Sequence, residues 1–266
     1  MTGPDPGAEP PKPSDSYLQS FARGLAVIRS FNASAPAQTM AEVAETTGLT
    51  RAGARRILHT LQTLGYVELE GRHFRLTAKV LDLGFAYLSS LPLWNLAEPH
   101  MEDLVQVVQE SSSVAVLEGA EIVYVLRVPT SKIMTISLGV GSRLPAYCTS
   151  MGRVLLAALP DEEVLVRLRR SALVPNTPRT VTEIDDLMRI IAEVRQQGYA
   201  LVDEELERGL ISIAVPLRGQ NDKVIAAINV GCHARRGTAH RIRTEFLPPM
   251  RAAADAIGRK LRQVSR

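Results

Sequence analysis

The chain is poor in cysteine and aromatic residues and carries little excess charge. Its 266 residues include two cysteines, Cys148 and Cys232, and aromatic side chains make up 5% of the sequence. Two cysteines cannot build a disulfide framework, which favours a reducing compartment. A net charge of +3 excludes a histone-like polycation, so any contact with nucleic acid must come from local clustering of basic residues.

Long apolar runs and a secretory leader are also missing. No stretch approaches the roughly 20 uninterrupted apolar residues of a transmembrane helix. The first residues, MTGPDPGAEPPKPSDS, hold no apolar segment, and their proline, glycine and polar residues predict a disordered tail over residues 1–16. We therefore expect a cytoplasmic protein with no membrane partner. The length and the 45% hydrophobic content predict two domains with substantial cores.

The sequence contains no motif of a common enzyme class. There is no Walker motif, no H-E-x-x-H and no G-x-S-x-G, and no convincing set of nucleophile, base and orienting group. Cys148, Cys232, His233 and His240 match no zinc-binding spacing. We predict no catalytic residue, no metal and no cofactor. The alternative is a small-molecule enzyme with an appended winged helix.

Residues 39–76 have the pattern of a winged helix-turn-helix. They predict a short helix, a tight turn at Gly48, a second helix that begins at Thr50, and a hairpin that turns at residues 70–71. An apolar face of the second helix is formed by Ala54, Ile57, Leu61 and Leu64. The opposite face is formed by Arg51, Arg55, His59 and Gln62. One face therefore packs, and the other is free to bind a partner.

The second helix and the hairpin carry the residues that we predict to bind DNA. Thr50 is the expected N-cap, which places Arg51 and Ala52 at the helix tip that enters a groove first. Arg51 and Arg55 are the candidates for base edges, because arginine can bind guanine through two hydrogen bonds in the major groove. The whole predicted set is Thr50, Arg51, Ala52, Arg55, Arg56, His59, Arg72 and Arg75.

Positive charge is concentrated in the region of the predicted winged helix-turn-helix. Residues 17–76 hold seven arginines and four glutamates, an excess of three positive charges that equals the net charge of the whole chain. Arg72, His73 and Arg75 are expected at the hairpin tip, where the arginines would contact DNA backbone or the minor groove. The alternative for Arg72 and Arg75 is that their charges only contribute to solubility. A solvated surface helix, or a winged helix that binds RNA or protein, is the alternative for the module.

Helices are predicted on both sides of this module. Residues 17–31 should form a helix that packs beneath it through Leu18, Phe21, Leu25, Ile28 and Phe31. Residues 32–38 should form a loop, and residues 77–89 an apolar helix that needs a partner. The expected domains are a tail at 1–16, the winged helix-turn-helix at 17–76, a linker helix at 77–92 and an effector domain at 93–266.

The pattern changes to mixed helices and strands after residue 93. Strands are predicted at 113–117, 122–128, 134–138, 199–204, 210–217 and 224–232. Helices are predicted at 93–109, from Thr149 or Ser150, from Asp161, from a capping signal at 182–185 to Gly198, and at 238–264. Because βαβ units do not repeat, this order indicates an α+β domain. The polar helix start at Thr149 and Ser150 offers free backbone N–H groups to an anion.

Several segments resemble the IclR family of bacterial transcriptional regulators. They are GLTRAGARRILHTLQTLGYVE, LTAKVLDLG, LPAYCTSMGRVLLAALP, GYALVDEELERGLISIAVPL and VIAAINVGC. The resemblance covers almost everything after the tail. It implies a mostly α winged helix-turn-helix, joined by a linker helix to a GAF-like α+β effector domain, in a homodimer or homotetramer on a palindromic double-stranded DNA operator. The TSMGRVLLA and RGQNDK segments look most like the branch that controls protocatechuate and β-ketoadipate catabolism.

The resemblance also implies a site for a small organic acid that controls DNA binding. Carried over by position, its residues are Ser150, Met151, Asp203, Ser212 and Asn229. The free N–H groups at the helix start agree with an anion at Ser150. In the alternative interpretation, Asp203 is a surface acid at a strand end and Ser150 is only a helix cap. Arg127 and Arg143 could pair with an anionic effector, although exposed arginines beside strands usually have no such role.

Overall fold

A computed structural model describes residues 16–89, 93–130, 138–235 and 238–264, and the chain divides into two compact units between residues 90 and 91. The expected tail lies outside the described residues apart from Ser16, and so does the strand expected at 134–138 apart from Leu138. Within the described ranges, no helix has both the length and the apolar character needed to span a membrane.

The N-terminal unit is a three-helix core with a small antiparallel sheet. Its helices are α1 (Gln19–Ser30), α2 (Met40–Thr47), α3 (Arg51–Thr63) and, after a 3₁₀ turn at Ala78–Val80, α4 (Leu81–Ser89). Its strands are β1 (Ala37–Thr39), β2 (Val67–Glu70) and β3 (His73–Leu76), in the order β1-β3-β2. The core consists of Val27, Phe31, Val43, Ala44, Ala54, Leu58, Leu61, Val67 and Phe74.

Local capping explains why the two central helices meet at a tight turn. Thr39 and Glu42 form a reciprocal capping box at the start of α2, and Gly48 ends that helix in the left-handed region at φ 66°. Thr50 then caps α3, because its hydroxyl accepts the Gly53 backbone N–H at 3.1 Å. The predicted turn and the predicted N-cap are both present.

Three expectations for this unit are wrong in detail. Ala54, Ile57 and Leu61 of α3 pack against the core as expected, but Leu58, which was not expected, is fully buried and Leu64 is 52% exposed. In α1, Ile28 and Phe31 contact the core as expected, together with Val27, while Leu18 and Phe21 are 71% and 67% exposed. The exposed residues lie at one end of each helix, since Leu18 precedes α1, Phe21 is in its first turn and Leu64 follows α3. The expected loop at 32–38 also ends in β1, which pairs with β3.

The C-terminal unit is a six-stranded antiparallel sheet with helices on both faces. The strands are β4 (Ser112–Glu118), β5 (Glu121–Val128), β6 (Arg143–Pro145), β7 (Ala200–Asp203), β8 (Leu210–Arg218) and β9 (Val224–His233), in the order β6-β5-β4-β9-β8-β7. The helices are α5 (Leu93–Val108), α6 (Ser150–Ala157), α7 (Asp161–Arg170), α8 (Ile184–Gln197), α9 (Ala239–Arg241) and α10 (Leu247–Val264). Together the two units confirm the expected α+β class.

Each face of this sheet covers a separate core. The core beneath α5 and α10 includes Met101, Leu104, Ile213, Ile228 and Met250. The core beneath α6 and α8 includes Tyr147, Met151, Leu156, Leu187 and Ile191. Inward and outward residues alternate along β8 and β9, so neighbouring residues serve opposite cores.

Some sequence-based boundaries in this unit require correction. Residues 143–145, expected to follow a turn, form β6 and pair with β5. The capping signal at 182–185 is not used, since α8 begins after Glu183 without a side-chain cap. The expected continuous helix at 238–264 contains a π-helical segment at Ile242–Phe246. Pro248 and Pro249 follow that segment, and a proline leaves the carbonyl four residues earlier without its N–H donor.

Gly152 sets how closely α6 approaches the preceding chain. A Cβ atom at this position would lie 2.2 Å from the Ala146 oxygen and 2.3 Å from its Cα. Both atoms belong to the backbone, so a side chain cannot be accommodated by a rotamer change. Glycine is therefore required for α6 to pack where it does.

We expect Gly152→Ala to lower the free energy of unfolding by more than about 3 kcal/mol, because the backbone must shift to relieve the overlap. Gly24→Ala is the matched control: it also lies within a helix, and its new Cβ would meet nothing within 4 Å. The control should be neutral or stabilising by up to about 1 kcal/mol. Urea unfolding of both variants measures the difference, and similar values for the two would contradict the packing argument.

Candidate functional site

The exposed face of α3 carries most of the predicted DNA-binding residues. Thr50 caps the helix and Arg51 is its first residue. Five of the predicted DNA-binding residues are exposed on α3, namely Arg51, Ala52, Arg55, Arg56 and His59. Arg56 differs in its surroundings, because it also lines an apolar groove between α1 and α3 that Phe21 and Leu64 help to form. The helix tip is therefore free of packing contacts, and its contact with DNA stays a prediction.

The hairpin places its two arginines differently. Arg72 is exposed in the turn between β2 and β3. Arg75 lies within β3, opposite Glu68, and its Nε is 3.4 Å from the Glu70 carboxylate. The expectation that Arg75 sits at the tip is wrong, because the turn is two residues long and position 75 falls inside the strand. Two neighbouring acids also offset its charge.

A cavity of about 40 Å³ lies between the N-terminus of α6 and the sheet of the C-terminal unit. Its polar lining includes Ser111, Ser113, Arg127, Ser150, Ser212 and Asn229. Its apolar lining includes Leu138, Met151, Val202, Leu206 and Leu210. Tyr124, Cys148, Thr149 and Gly231 complete it. No carboxylate and no imidazole is among these lining residues.

Four of the five predicted effector residues are brought together here. Ser150 and Met151 begin α6, and the Ser212 hydroxyl donates a hydrogen bond to the Ser150 hydroxyl at 3.0 Å. Asn229 lines the same cavity from β9. Thr149 is the helix cap, since its hydroxyl accepts the Gly152 N–H at 3.2 Å. Ser150 is therefore not merely a cap, and its side chain faces the cavity.

Asp203 lies outside the cavity. Its neighbour Val202 lines the cavity instead, because side chains alternate along β7 and position 203 belongs to the other face. The Asp203 carboxylate accepts a hydrogen bond from Arg179 at 2.6 Å, on an exposed surface. This corrects the assignment of Asp203 to the effector site.

The sheet contributes a polar row that sequence reasoning did not assemble. Ser113 of β4 pairs directly with Arg127 of β5 on one side and with Asn229 of β9 on the other. Directly paired residues point to the same face, so three polar side chains stand side by side on adjacent strands. Arg127 donates a long hydrogen bond, 3.5 Å, to the Ser113 hydroxyl. Among the described residues it has no carboxylate within salt-bridge distance.

Arg143 has a different role. Its guanidinium is bound by Glu118 and Glu121, each at 2.8 Å, on the exposed side of β6. These hydrogen bonds raise the pKa of Arg143 above its usual value. Of the two arginines considered from the sequence, the structure places Arg127 in the cavity and Arg143 outside it.

The tyrosine and the cysteine of the cavity both keep their protons at physiological pH. Burial raises the pKa of Tyr124 to about 12, so its phenol keeps its proton and can donate a hydrogen bond. Burial also raises the pKa of Cys148 to about 11. A protonated thiol is a poor nucleophile, and no base stands beside it in the lining. This chemistry suits binding of an anion better than covalent catalysis.

A buried ion pair anchors the helix that borders the cavity. Arg153 of α6 forms two hydrogen bonds to Glu205, at 2.6 and 2.7 Å, and the side chains are 3% and 9% exposed. Arg153 Nε also donates to the Tyr147 carbonyl at 2.9 Å. Glu205 in turn accepts the Val181 N–H at 3.1 Å. Because Leu206 lines the cavity, this pair joins one wall of the cavity to α6.

Comparison with known proteins identifies the class. Residues 20–71 match the IclR helix-turn-helix domain, and residues 85–259 match the bacterial transcriptional regulator IclR C-terminal domain. The chain belongs to the IclR family of bacterial transcriptional regulators, and it is a DNA-binding regulator of transcription.

Two relatives show which members it resembles. It is 44% identical over 239 residues to the Pca regulon regulatory protein of Pseudomonas putida, covering 90% of this chain and 82% of the relative. It is 34% identical to the p-hydroxybenzoate hydroxylase transcriptional activator of Acinetobacter baylyi, covering 92% of each. The resemblance to the branch that regulates aromatic acid catabolism is thereby confirmed.

Solved structures agree with this assignment. A transcriptional regulator from Rhodococcus sp. RHA1 superposes with a TM-score of 0.83 at 48% identity, covering 92% of this chain and 98% of that one. An IclR homolog from Microbacterium hydrocarbonoxydans, complexed with 4-hydroxybenzoate, gives a TM-score of 0.79 at 29% identity, covering 91% and 98%.

We expect Arg153→Met to lower the free energy of unfolding by about 3–5 kcal/mol, because it leaves the Glu205 carboxylate buried without its partner. The double variant Arg153→Met, Glu205→Leu should recover part of that loss, since no charge then remains buried. Arg179→Met is the control: its pairs with Asp203 and Glu204 are exposed and should contribute less than about 1 kcal/mol. Urea unfolding compares the three, and an Arg153→Met effect no larger than the control would argue against a structural role for the pair.

Proposed function

We propose that this regulator binds its operator through the tip of α3 and the hairpin, and that a small organic acid in the cavity controls this binding. The effector is a metabolite of aromatic catabolism such as protocatechuate or β-ketoadipate. The regulator acts as a homodimer or homotetramer on a palindromic operator. The names of the Pseudomonas and Acinetobacter relatives, and the 4-hydroxybenzoate complex of the Microbacterium homolog, support the effector class.

Arg127 is the observation that carries the effector assignment. It is a half-buried cation in a cavity whose lining holds no carboxylate, and it has no acidic partner in the described part of the chain. A cation in such a place is stabilised by an anionic ligand, and guanidinium can bind a carboxylate through two parallel hydrogen bonds. The free N–H groups at the start of α6 and the Ser150 hydroxyl add donors for the same anion.

The predicted DNA-binding residues follow from the exposure of the α3 tip. Arg51 and Arg55 can reach base edges, because they lie on the first turns of a helix whose cap leaves its end uncovered. Arg72, in the hairpin turn, and Arg56 are assigned to phosphates. Arg75 contributes less than its position in sequence suggested, because Glu70 is close to it.

In this proposal the effector controls operator binding through thermodynamic linkage between the cavity and the DNA-binding surface. An acid that binds two arrangements of the regulator with different affinity shifts the equilibrium between them, and the shift cannot exceed that difference. A change in the spacing of two recognition helices moves them out of register with half-sites about 34 Å apart. An acid that binds both arrangements equally would have no effect on the operator.

We expect Arg55→Ala to weaken binding to the operator by about 1–3 kcal/mol and to affect nonspecific duplex much less, as a base contact requires. Arg29→Ala removes an equally exposed arginine at the end of α1 and should change neither. Titration of labelled operator and scrambled duplex at one fixed ionic strength measures both. An equal loss on the two DNAs would assign Arg55 to a phosphate.

We expect Arg127→Met to abolish the rise in melting temperature that protocatechuate or β-ketoadipate produces, with affinity falling about 10- to 100-fold because a charged hydrogen bond is lost. Arg143→Met is the matched control, since its guanidinium is bound to two surface glutamates away from the cavity. It should retain the full shift and the effector response of the operator complex. If the two variants respond equally to the acids, Arg127 is not part of the effector site. If the wild type responds to no small aromatic or dicarboxylic acid, the effector assignment is refuted.

A further inference from the structure

The orientation of the Asn229 side-chain amide is fixed by the protein. The Asn229 Oδ1 atom accepts a hydrogen bond from the Ser113 backbone N–H at 3.1 Å. A backbone N–H can only donate, so it must face the amide oxygen and not the amide nitrogen. The NH₂ group therefore points away from Ser113. In the described part of the chain it has no acceptor of its own, although Asn229 lines the cavity.

The other polar groups of the cavity also present donors. Arg127 has only donors, and the Ser212 hydroxyl donates to the Ser150 oxygen, which leaves the Ser150 proton for a ligand. Tyr124 keeps its proton at neutral pH. The lining includes neither a carboxylate nor an imidazole, so the acceptors that it offers to a ligand are neutral oxygens, such as that of the Ser212 hydroxyl.

Arg127 and Asn229 offer two separate points of contact to one ligand. They lie on either side of Ser113 in the same cross-strand row, two strand spacings apart, so their backbones are separated by about 10 Å. A small acid lying along the row can place its carboxylate on Arg127 and a second polar group near the Asn229 amide.

Building on the proposed function, we infer that Asn229 selects the second polar group of the effector. That group must be a hydrogen-bond acceptor without a proton, such as a second carboxylate or a keto oxygen. A hydroxyl at the same point can accept from the amide, but its own proton then has only neutral oxygens of the lining as acceptors. A carboxylate or a keto oxygen has no proton to place, and a carboxylate also gains from its charge. The favoured effector class is therefore a dicarboxylic or oxo acid. Of the two acids named under the proposed function, this favours β-ketoadipate over protocatechuate, whose second polar groups are hydroxyls.

Two matched ligand pairs test this selection. Terephthalate and 4-hydroxybenzoate share a ring, and adipate and 6-hydroxyhexanoate share a chain; within each pair only the second group differs. For the wild type, we expect the dicarboxylate of at least one pair to bind about tenfold more tightly than its hydroxy acid in calorimetric titration. Asn229→Asp keeps an oxygen for the Ser113 N–H and replaces the NH₂ donor by an acceptor. The ratio within that pair should then reverse in favour of the hydroxy acid.

The added negative charge of Asn229→Asp weakens the binding of both acids of a pair. The ratio of the two affinities therefore separates a change in selection from a general loss of affinity. Asn221→Asp introduces the same charge on the exposed turn before β9 and should leave both affinities and their ratio unchanged. Equal binding of the two members of each pair to the wild type, or a ratio that Asn229→Asp does not move, would overturn the selection by Asn229. In either case, loss of all binding in Arg127→Met would leave the proposed function standing. If the wild type binds no member of either pair and no other small aromatic or dicarboxylic acid, the proposed function and this inference fail together.

Discussion

The cavity of the C-terminal unit depends on the rigid placement of α6, and the buried pair between Arg153 and Glu205 is central to that placement. Burying two charges costs several kcal/mol of solvation each, and only good geometry with further hydrogen bonds offsets that cost. Here the pair is bidentate, and two further hydrogen bonds support it, from Arg153 Nε to the Tyr147 carbonyl and from the Val181 N–H to the Glu205 carboxylate. Together with the close contact at Gly152, it holds the N-terminus of α6 above the sheet.

Because the N-terminus of α6 is fixed, the polar groups of the cavity are already in position before a ligand binds. The N–H groups at the end of α6 and the hydroxyls of Ser150 and Ser212 are held in place, so little ordering remains to be done on binding. The polar row on β5, β4 and β9 has the same property, because sheet register sets its spacing. Charge complementarity then favours an anion, since Arg127 is the cation of this lining and no acid offsets it.

The sequence predicts the positions of helices, caps and turns more reliably than it predicts which residues contact one another. The turn at Gly48, the cap at Thr50 and the start of α6 follow from local chemistry, and the structure has all three. Two of the errors, in α3 and in β7, share one cause, which is that a pattern along the chain does not fix which of two neighbouring faces is buried. In α3 both Ile57 and Leu58 fit helical spacing, and burial selects Leu58. In β7 a shift of one residue moves the cavity contact from Asp203 to Val202.

Long-range partners were beyond the reach of the sequence. Arg153 and Glu205 are 52 positions apart, and nothing local marks either as buried. From the sequence, Arg127 and Arg143 are equal candidates to pair with an anionic effector, although arginines beside strands usually have no such role. The absence of an acid among the described neighbours of Arg127, which distinguishes the two, is visible only in the structure. Ser150, Met151, Ser212 and Asn229 were placed by resemblance to the family rather than by local chemistry, and the structure adds the direction in which the Asn229 amide faces.

The size of the cavity sets a condition on the binding of an effector. At about 40 Å³ it is smaller than the roughly 150 Å³ that accommodates benzene, so an aromatic or dicarboxylic acid fits only after the walls move apart. The α6 wall resists such movement, because Gly152 contacts the Ala146 backbone and Arg153 is bound within the core. The opposite wall includes Leu206 and Leu210, at the connection between β7 and β8, where Glu204 adopts the left-handed backbone region at φ 57°. Strain at a non-glycine residue persists only where the surroundings impose it. This connection also carries Glu205, which Arg153 of α6 binds, so the two walls of the cavity are tied to each other and resist separation together.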